Sequence, residues 1–156
     1  MLSPLLCGGA AQYSCRVSST LNRDTKQFGK KYLFDGNNET CWNSDQVNNR
    51  TISYNVLYFY IGVLQGSPQW ISFEFEHPVP LSALSLQFQG GFCGKDCEVE
   101  IEGNQKILDF YPEDANKLQT FHLREKLDAV RKVRIIFNSS TDFYGRVTLY
   151  LLELYS

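Results

Sequence analysis

Residues that carry chemistry are scarce in this chain. Only two histidines, His77 and His122, occur among 156 residues. His77 precedes Pro78 in what reads as a connection, and His122 sits in an alternating stretch, so each is expected at the surface or in a cap. No Gly-x-Ser-x-Gly turn, phosphate loop or metal-ligand helix is present. Glu113 and Asp114 fall in a turn, where an Asp serves its own backbone. With no acid, base or nucleophile placed for work, the sequence predicts a chain that is not an enzyme and carries no cofactor.

The cysteines are few and unpatterned. They stand at positions 7, 15, 41, 93 and 97, with no Cys-x-x-Cys pair. Cys93 and Cys97 would need two more groups to hold zinc, and neither histidine is near in sequence. Free thiols in a reducing compartment are the simpler expectation. Basic runs are equally short: Lys30-Lys31 and Arg131-Lys132 are pairs, and the net charge is -2. That balance argues against a nucleic-acid backbone as the main partner. The apolar stretch within residues 54–64 falls well below the roughly twenty residues of a membrane span. Residues 1–15 lack a basic segment followed by a long apolar one and read as a loose N-terminal tail.

What the chain does have is alternation. Ile71, Phe73 and Phe75 face one way, with Ser72, Glu74 and Glu76 opposite. Leu84, Leu86 and Phe88 repeat this, as do Val99 with Ile101 and Val133 with Ile135 and Phe137. Short period-two segments separated by Gly, Pro, Asn and Asp predict antiparallel strands with one wet face. Aromatic content of 14% supports the same reading, since flat rings fit a pleated surface. His77-Pro78-Val79-Pro80 is expected to be a connection, because two prolines so close remove ladder donors. A short helix is expected between Leu123 and Val130. The sum is an all-β sandwich in one domain over residues 16–156.

One stretch narrows this further. The run Phe34-Asp35-Gly36-Asn37-Asn38-Glu39-Thr40-Cys41-Trp42-Asn43-Ser44 is answered by Gln69-Trp70-Ile71-Ser72-Phe73-Glu74-Phe75. An Asp-Gly turn, a Thr and a core-type Trp lead to a strand opening on a second Trp. This order resembles a discoidin-like, galactose-binding-like jelly roll. Longer runs are more specific: Arg16-Val17-Ser18-Ser19-Thr20-Leu21-Asn22-Arg23, Gln27-Phe28-Gly29-Lys30-Lys31, Glu39-Thr40-Cys41-Trp42-Asn43-Ser44-Asp45-Gln46, Gln87-Phe88-Gln89-Gly90-Gly91-Phe92, Asp109-Phe110-Tyr111-Pro112-Glu113-Asp114 and Thr141-Asp142-Phe143-Tyr144-Gly145-Arg146-Val147. Together these resemble the family of small proteins associated with an orphan nuclear receptor.

The resemblance implies a non-enzymatic module that docks on the receptor and represses transcription, monomeric, in the nucleus, the cytoplasm or both. It implies no membrane and no direct nucleic-acid contact. No Leu-x-x-Leu-Leu helix of the coactivator kind is expected, so docking would use loops or a sandwich face. In such folds the loops at one end recognise the partner. That places Gln89 and Phe92 in one loop, with Asn43, Asp45 and Arg146 as polar readers, Arg146 through a fork suited to carboxylates. Phe92 either stands at a glycine-rich loop tip or folds into the core. Trp42 and Trp70 are expected in the core. Some relatives of the fold bind calcium near the equivalents of Asp35 and Asn37, but turn geometry explains those two residues equally well. The fold alone also suits a carbohydrate- or lipid-binding module, or a peptide-docking subunit of a larger assembly.

Residues 47–65 depart from that family, in which the Ser-Asp-Gln run passes almost directly into the Gln-Trp run. The insert opens on Val47, whose codons start GT, and closes on Gln65, one of whose codons is CAG. These are the two ends of an intron left in frame. The stretch is either retained intron or a genuine loop adding an edge strand, and sequencing the transcript separates the two.

Overall fold

Alternation becomes strand pairing in a computed structural model that describes residues 1–8, 11–46 and 68–156. Among these residues seven strands form: β1 (Tyr13–Val17), β2 (Trp42–Asn43), β3 (Gln69–Phe88), β4 (Gly94–Ile101), β5 (Gln105–Phe110), β6 (Leu118–Ser140) and β7 (Thr148–Tyr155). All pairings are antiparallel, in the order β2-β7-β3-β6-β4-β5, and β1 adds to β3. Between β1 and β2 lie one short helix, α1 (Thr25–Phe28), and two 3-10 turns, Leu21–Arg23 and Lys30–Leu33. The insert at 47–65 lies outside the described residues.

The two long strands turn one hydrogen-bonded ladder into a sandwich. The first part of β3 pairs with β1 and with the last part of β6, Phe73 opposite Val133. Its last part pairs with the start of β6 and with β7, Leu84 opposite both Phe121 and Leu154. Between these parts the register slips at three successive places. His77-Pro78-Val79-Pro80 therefore corrects the sequence reading: it is not a loop but a corner inside β3. Neither proline has a ladder partner, so the missing N–H groups fall where pairing is already interrupted. The buried side chains pass from odd positions (Ile71, Phe73, Phe75) to even ones (Leu84, Leu86, Phe88) across that corner.

The helix expected from Leu123 to Val130 is also corrected, because those residues lie inside β6. Leu127 pairs with Leu81 and Val130 with Val79 on either side of a register shift. Irregular pairing spaced the apolar residues by three and four, which imitates a helical face. The N-terminal tail is the third correction. Pro4 bridges Tyr155, Leu5 and Leu6 are buried, and β1 begins at Tyr13. Leu2-Ser3-Pro4-Leu5-Leu6 does match the Leu-x-x-Leu-Leu spacing. It is not helical, and its last two leucines belong to the core.

Trp42, Phe73, Phe75, Phe88 and Phe137 are the largest fully buried side chains. Tyr13, Phe34, Phe73 and Phe75 meet edge to face at centroid distances of 5.7–6.0 Å. Such pairs each add about 0.5–1.5 kcal/mol to plain burial. Packing is tight at Gly94, where a Cβ would stand 2.6 Å from the Phe137 ring and 2.7 Å from the Cys97 sulfur. Gly94→Ala is expected to destabilise the domain by about 2 kcal/mol through overpacking, measured by urea unfolding.

All five cysteines are free, and Cys93 and Cys97 are buried. Burial pushes the Cys15 thiol up to about 12, partly opposed by the Lys30 charge. Burial, followed by the hydrogen bond and charge of Glu153, pushes Cys7 to about 12 as well. The native thiols keep their protons where unfolded thiols, with an ordinary value of 9.0, would lose them. This contribution to stability is complete below the unfolded value and is lost as pH rises through the folded one. Urea midpoints are expected to be flat between about pH 6 and pH 8 and to fall as pH rises from about 9 to about 12.

Candidate functional site

Three loops meet at one end of the sandwich because the strands that carry them are paired. Residues 44–46 follow β2, residues 89–93 join β3 to β4, and residues 141–147 join β6 to β7. Asn43 faces Thr148, Phe88 faces Leu149, and Gly94 faces Ser140. Backbone bonds extend this pairing into the loops. Gln89 N–H donates to Thr148 O at 3.0 Å, Thr148 N–H to Phe92 O at 3.0 Å, Ser44 N–H to Val147 O at 2.9 Å, and Thr141 N–H to Cys93 O at 2.9 Å.

Inside each loop, short polar side chains hold the backbone. Asp142 accepts from Arg146 N–H at 3.0 Å, and the Ser140 hydroxyl donates to Arg146 O at 2.6 Å. Gly145, at φ 81°, takes the left-handed conformation that closes this turn. Asp114 reaches across to accept from Gly91 N–H at 2.7 Å and from the Cys93 thiol at 3.3 Å. The Gly91 N–H, with the Cys93 thiol, holds the Asp114 carboxyl below its ordinary value. Burial, with Asp114 beside it, pushes the Cys93 thiol up to about 11.

The structure sorts the expected readers. Arg146 and Phe92 come together, with the guanidinium carbon 4.1 Å from the ring centroid. Phe92 is half-buried beneath it, neither a bare tip nor a core residue. Arg146 Nε is buried and has no hydrogen-bond partner among the described residues. A buried charged donor without an acceptor is costly unless one is brought to it.

Asn43 does not stand with them as a reader. It is buried, and its amide oxygen accepts from the Thr148 hydroxyl at 2.6 Å, so it ties β2 to β7. Asp45 is half-buried: its N–H donates to the Ser19 hydroxyl at 2.9 Å, and its carboxylate accepts from Gln46 N–H at 3.0 Å. Gln89 contributes its carbonyl, which accepts from Phe92 N–H at 3.0 Å and the Cys93 thiol at 3.4 Å. Trp42 is fully buried and donates from Nε1 to Ser19 O at 3.1 Å. Trp70 departs from expectation, being half-buried with the Arg134 guanidinium 4.9 Å from its ring.

Two aromatics were missed. Phe143 and Tyr144 are 59% and 40% exposed beside Arg146 and meet edge to face at 5.2 Å. The available signal was two adjacent rings in a loop bounded by Asp142 and Gly145, where no strand would bury them.

Asp35 and Asn37 use their oxygens within their own turn. Asp35 accepts from Asn37 N–H at 3.0 Å and the Thr40 hydroxyl at 2.6 Å, and Asn37 accepts from Glu39 N–H at 2.9 Å. Among the described residues no group of three or more His, Cys, Asp or Glu converges to hold a metal. His77 and His122 are exposed. Among the described residues no helix is long and apolar enough to cross a membrane.

Comparison with known proteins places this geometry among relatives. The chain is 44% identical to nuclear receptor 2C2-associated protein of Danio rerio, with 99% of this chain and 96% of the relative covered. It is 49% identical to the Xenopus tropicalis protein of that name (89% and 90% covered) and 44% identical to the Homo sapiens one (89% and 88% covered). No family model matches. Among solved structures, a family 32 carbohydrate-binding module from C. perfringens, in complex with galactose, superposes with a TM-score of 0.71 at 14% identity, all of both chains covered. An F5/8 type C domain from Bacteroides fragilis gives 0.69 at 16% identity, covering 99% of this chain and 96% of that one. At such identities the likeness establishes the discoidin-like β-sandwich and nothing finer.

Proposed function

Since the chain belongs to the family of nuclear receptor 2C2-associated proteins, we propose that it is a non-enzymatic protein-binding module that docks on an orphan nuclear receptor and represses its transcriptional activity. The observation that carries this reading is the 43–49% identity to relatives so named, over 89–99% of the chain. Its mechanism is occupancy. A folded module seated on the receptor denies that surface to DNA, to a dimer partner or to a coactivator, acting as a monomer in the nucleus, the cytoplasm or both.

Geometry at the loop end supports such docking. Arg146 offers a planar fork suited to a partner carboxylate, already stacked on Phe92. Tyr144 and Phe143 stand beside it as rings that a partner can cover. Stacked arginine and exposed aromatics are the residue types that dominate protein interfaces.

The test is a receptor-driven reporter in cells carrying this protein or its Arg146→Ala variant. Native protein is expected to lower reporter output, and the variant to lose at least half of that effect while accumulating to the same level. Equal repression by both would remove the loop end from the reading, and no repression by either would remove the reading itself. A glycan array on the same preparation tests the carbohydrate alternative that the fold suits.

A further inference from the structure

A groove runs beside β1. It has a volume of about 580 Å³ and lies between β1 with Trp70 on one side and α1 with the following 3-10 turn on the other. Its lining includes Arg16, Lys26, Lys30, Lys31 and Trp70. We propose that this groove binds an acidic peptide segment of a partner protein, with one apolar side chain of the peptide laid against the Trp70 indole.

Charge is the first argument. Every charged residue found in the lining is cationic, in a chain whose net charge is -2. The residues outside the described set, 9–10 and 47–67, contain no Asp or Glu to neutralise it. Asp24, the carboxylate next to Thr25 of the lining, is committed to α1, accepting from Lys26 and Gln27 N–H at 3.1 and 3.0 Å. Two of the cations have local partners: the Lys30 ammonium donates to Cys15 O, and Lys31 lies 4.9 Å from the centre of the Tyr32 ring. The Arg16 and Lys26 side chains have no ion-pair or hydrogen-bond partner among the described residues. Such a patch draws an acidic segment and fixes its direction.

Trp70 supplies the second argument. The alternation along β3 that buries Ile71 turns Trp70 to the other face, where it stays half-buried. The Ser18 hydroxyl accepts from the Trp70 backbone N–H at 3.0 Å, and the Arg134 guanidinium lies 4.9 Å from the ring, so backbone and indole are both braced before any ligand arrives. A strand of nucleic acid would need successive stacking platforms and a longer basic track. Among the described residues, Trp70 is the one aromatic in the lining, and the exposed rings Tyr111, Phe143 and Tyr144 are not found there. This inference does not depend on the loop-end reading of function.

The test uses the full chain and a labelled peptide of Asp and Glu residues with one central Leu, followed by fluorescence anisotropy. Saturable binding is expected, weakening as salt is raised. The double variant Arg16→Glu, Lys26→Glu reverses two exposed charges and is expected to weaken binding at least about tenfold. Lys126→Glu, an exposed charge reversal in β6 away from the groove, is expected to leave it unchanged. Trp70→Ala is expected to weaken binding similarly, and the charge reversal keeps the proposal testable if that variant does not fold. The proposal is overturned by absence of binding, by equal binding to the double variant, or by equal binding to the Lys and Arg version of the peptide. Displacement at lower concentration by single-stranded DNA or by phosphatidylserine vesicles overturns it too.

Discussion

Replacing Glu153 with alanine is expected to destabilise the protein by about 3 kcal/mol, lowering the Tm by roughly 10 °C. Glu153 lies on β7, and its side chain is only 4% exposed. The carboxylate accepts from Leu5 N–H at 3.1 Å, Leu6 N–H at 2.7 Å, Cys7 N–H at 2.8 Å and Leu154 N–H at 3.1 Å. One side chain therefore satisfies three donors of the N-terminal segment and one of its own strand. Leu5 N–H also donates to Leu154 O at 2.8 Å and keeps that partner, but without the carboxylate the Leu6, Cys7 and Leu154 N–H groups lose their acceptor, or the segment leaves and exposes Leu5 and Leu6. Burying one large aliphatic side chain is worth about 1.5–3 kcal/mol, so neither route is cheap. Glu153→Gln keeps the volume but loses accepting capacity, and its loss should be intermediate. A thermal melt read with limited proteolysis separates the routes, because an undocked segment is cut before the rest. A change below about 1 kcal/mol would show that the segment docks without its carboxylate anchor.

The second large effect is at Trp42. Trp42→Ala is expected to destabilise the domain by about 4 kcal/mol. Trp42 is fully buried, tilted against Phe137 at a centroid distance of 6.5 Å, and bonded to Ser19 O. Phe137 in turn meets Phe88 edge to face at 5.9 Å, so the indole fills a layer shared by β2, β3 and β6. Truncation leaves a cavity and an unpaired Ser19 carbonyl, whereas Trp42→Phe restores most of the volume and should lose less. Urea unfolding measures both, with the midpoint moving and the slope retained. A loss under about 1 kcal/mol with no ligand present would contradict a core role for this Trp.

How much of this was legible depended on how local the signal was. Ile71, Phe73 and Phe75 announced β3 because a sheet with one wet face needs period two, and Val133, Ile135 and Phe137 announced β6 for the same reason. The corner at Pro78 and Pro80 was not legible as strand, because whether a proline's missing N–H matters depends on the ladder partner opposite. Leu123, Leu127 and Val130 misled for a related reason, since register slips rewrite the spacing of buried positions. The docking of Leu5 and Leu6 rests on a carboxylate 147 positions away from Leu6, a distance no window along the chain can see.

The candidate site was legible in part. Arg146 and Phe92 were named from separate loops, and pairing of β6, β7, β3 and β4 brings them to 4.1 Å. The resemblance put Asn43 among the polar readers, yet the β2–β7 pairing turned it inward to Thr148. Trp70 was expected in the core with Trp42, but it neighbours the buried Ile71, and adjacent strand residues face opposite ways. That single alternation separates a core Trp from one on a binding groove.

The most direct measurement is a calorimetric titration of the purified full chain into the DNA-binding and ligand-binding regions of the orphan receptor. Saturable binding to at least one region is expected, with Arg146→Ala weakening it about tenfold or more at unchanged thermal stability. A folded protein that binds neither region would contradict receptor docking. Undiminished affinity in the Arg146→Ala variant would contradict docking through the loop end.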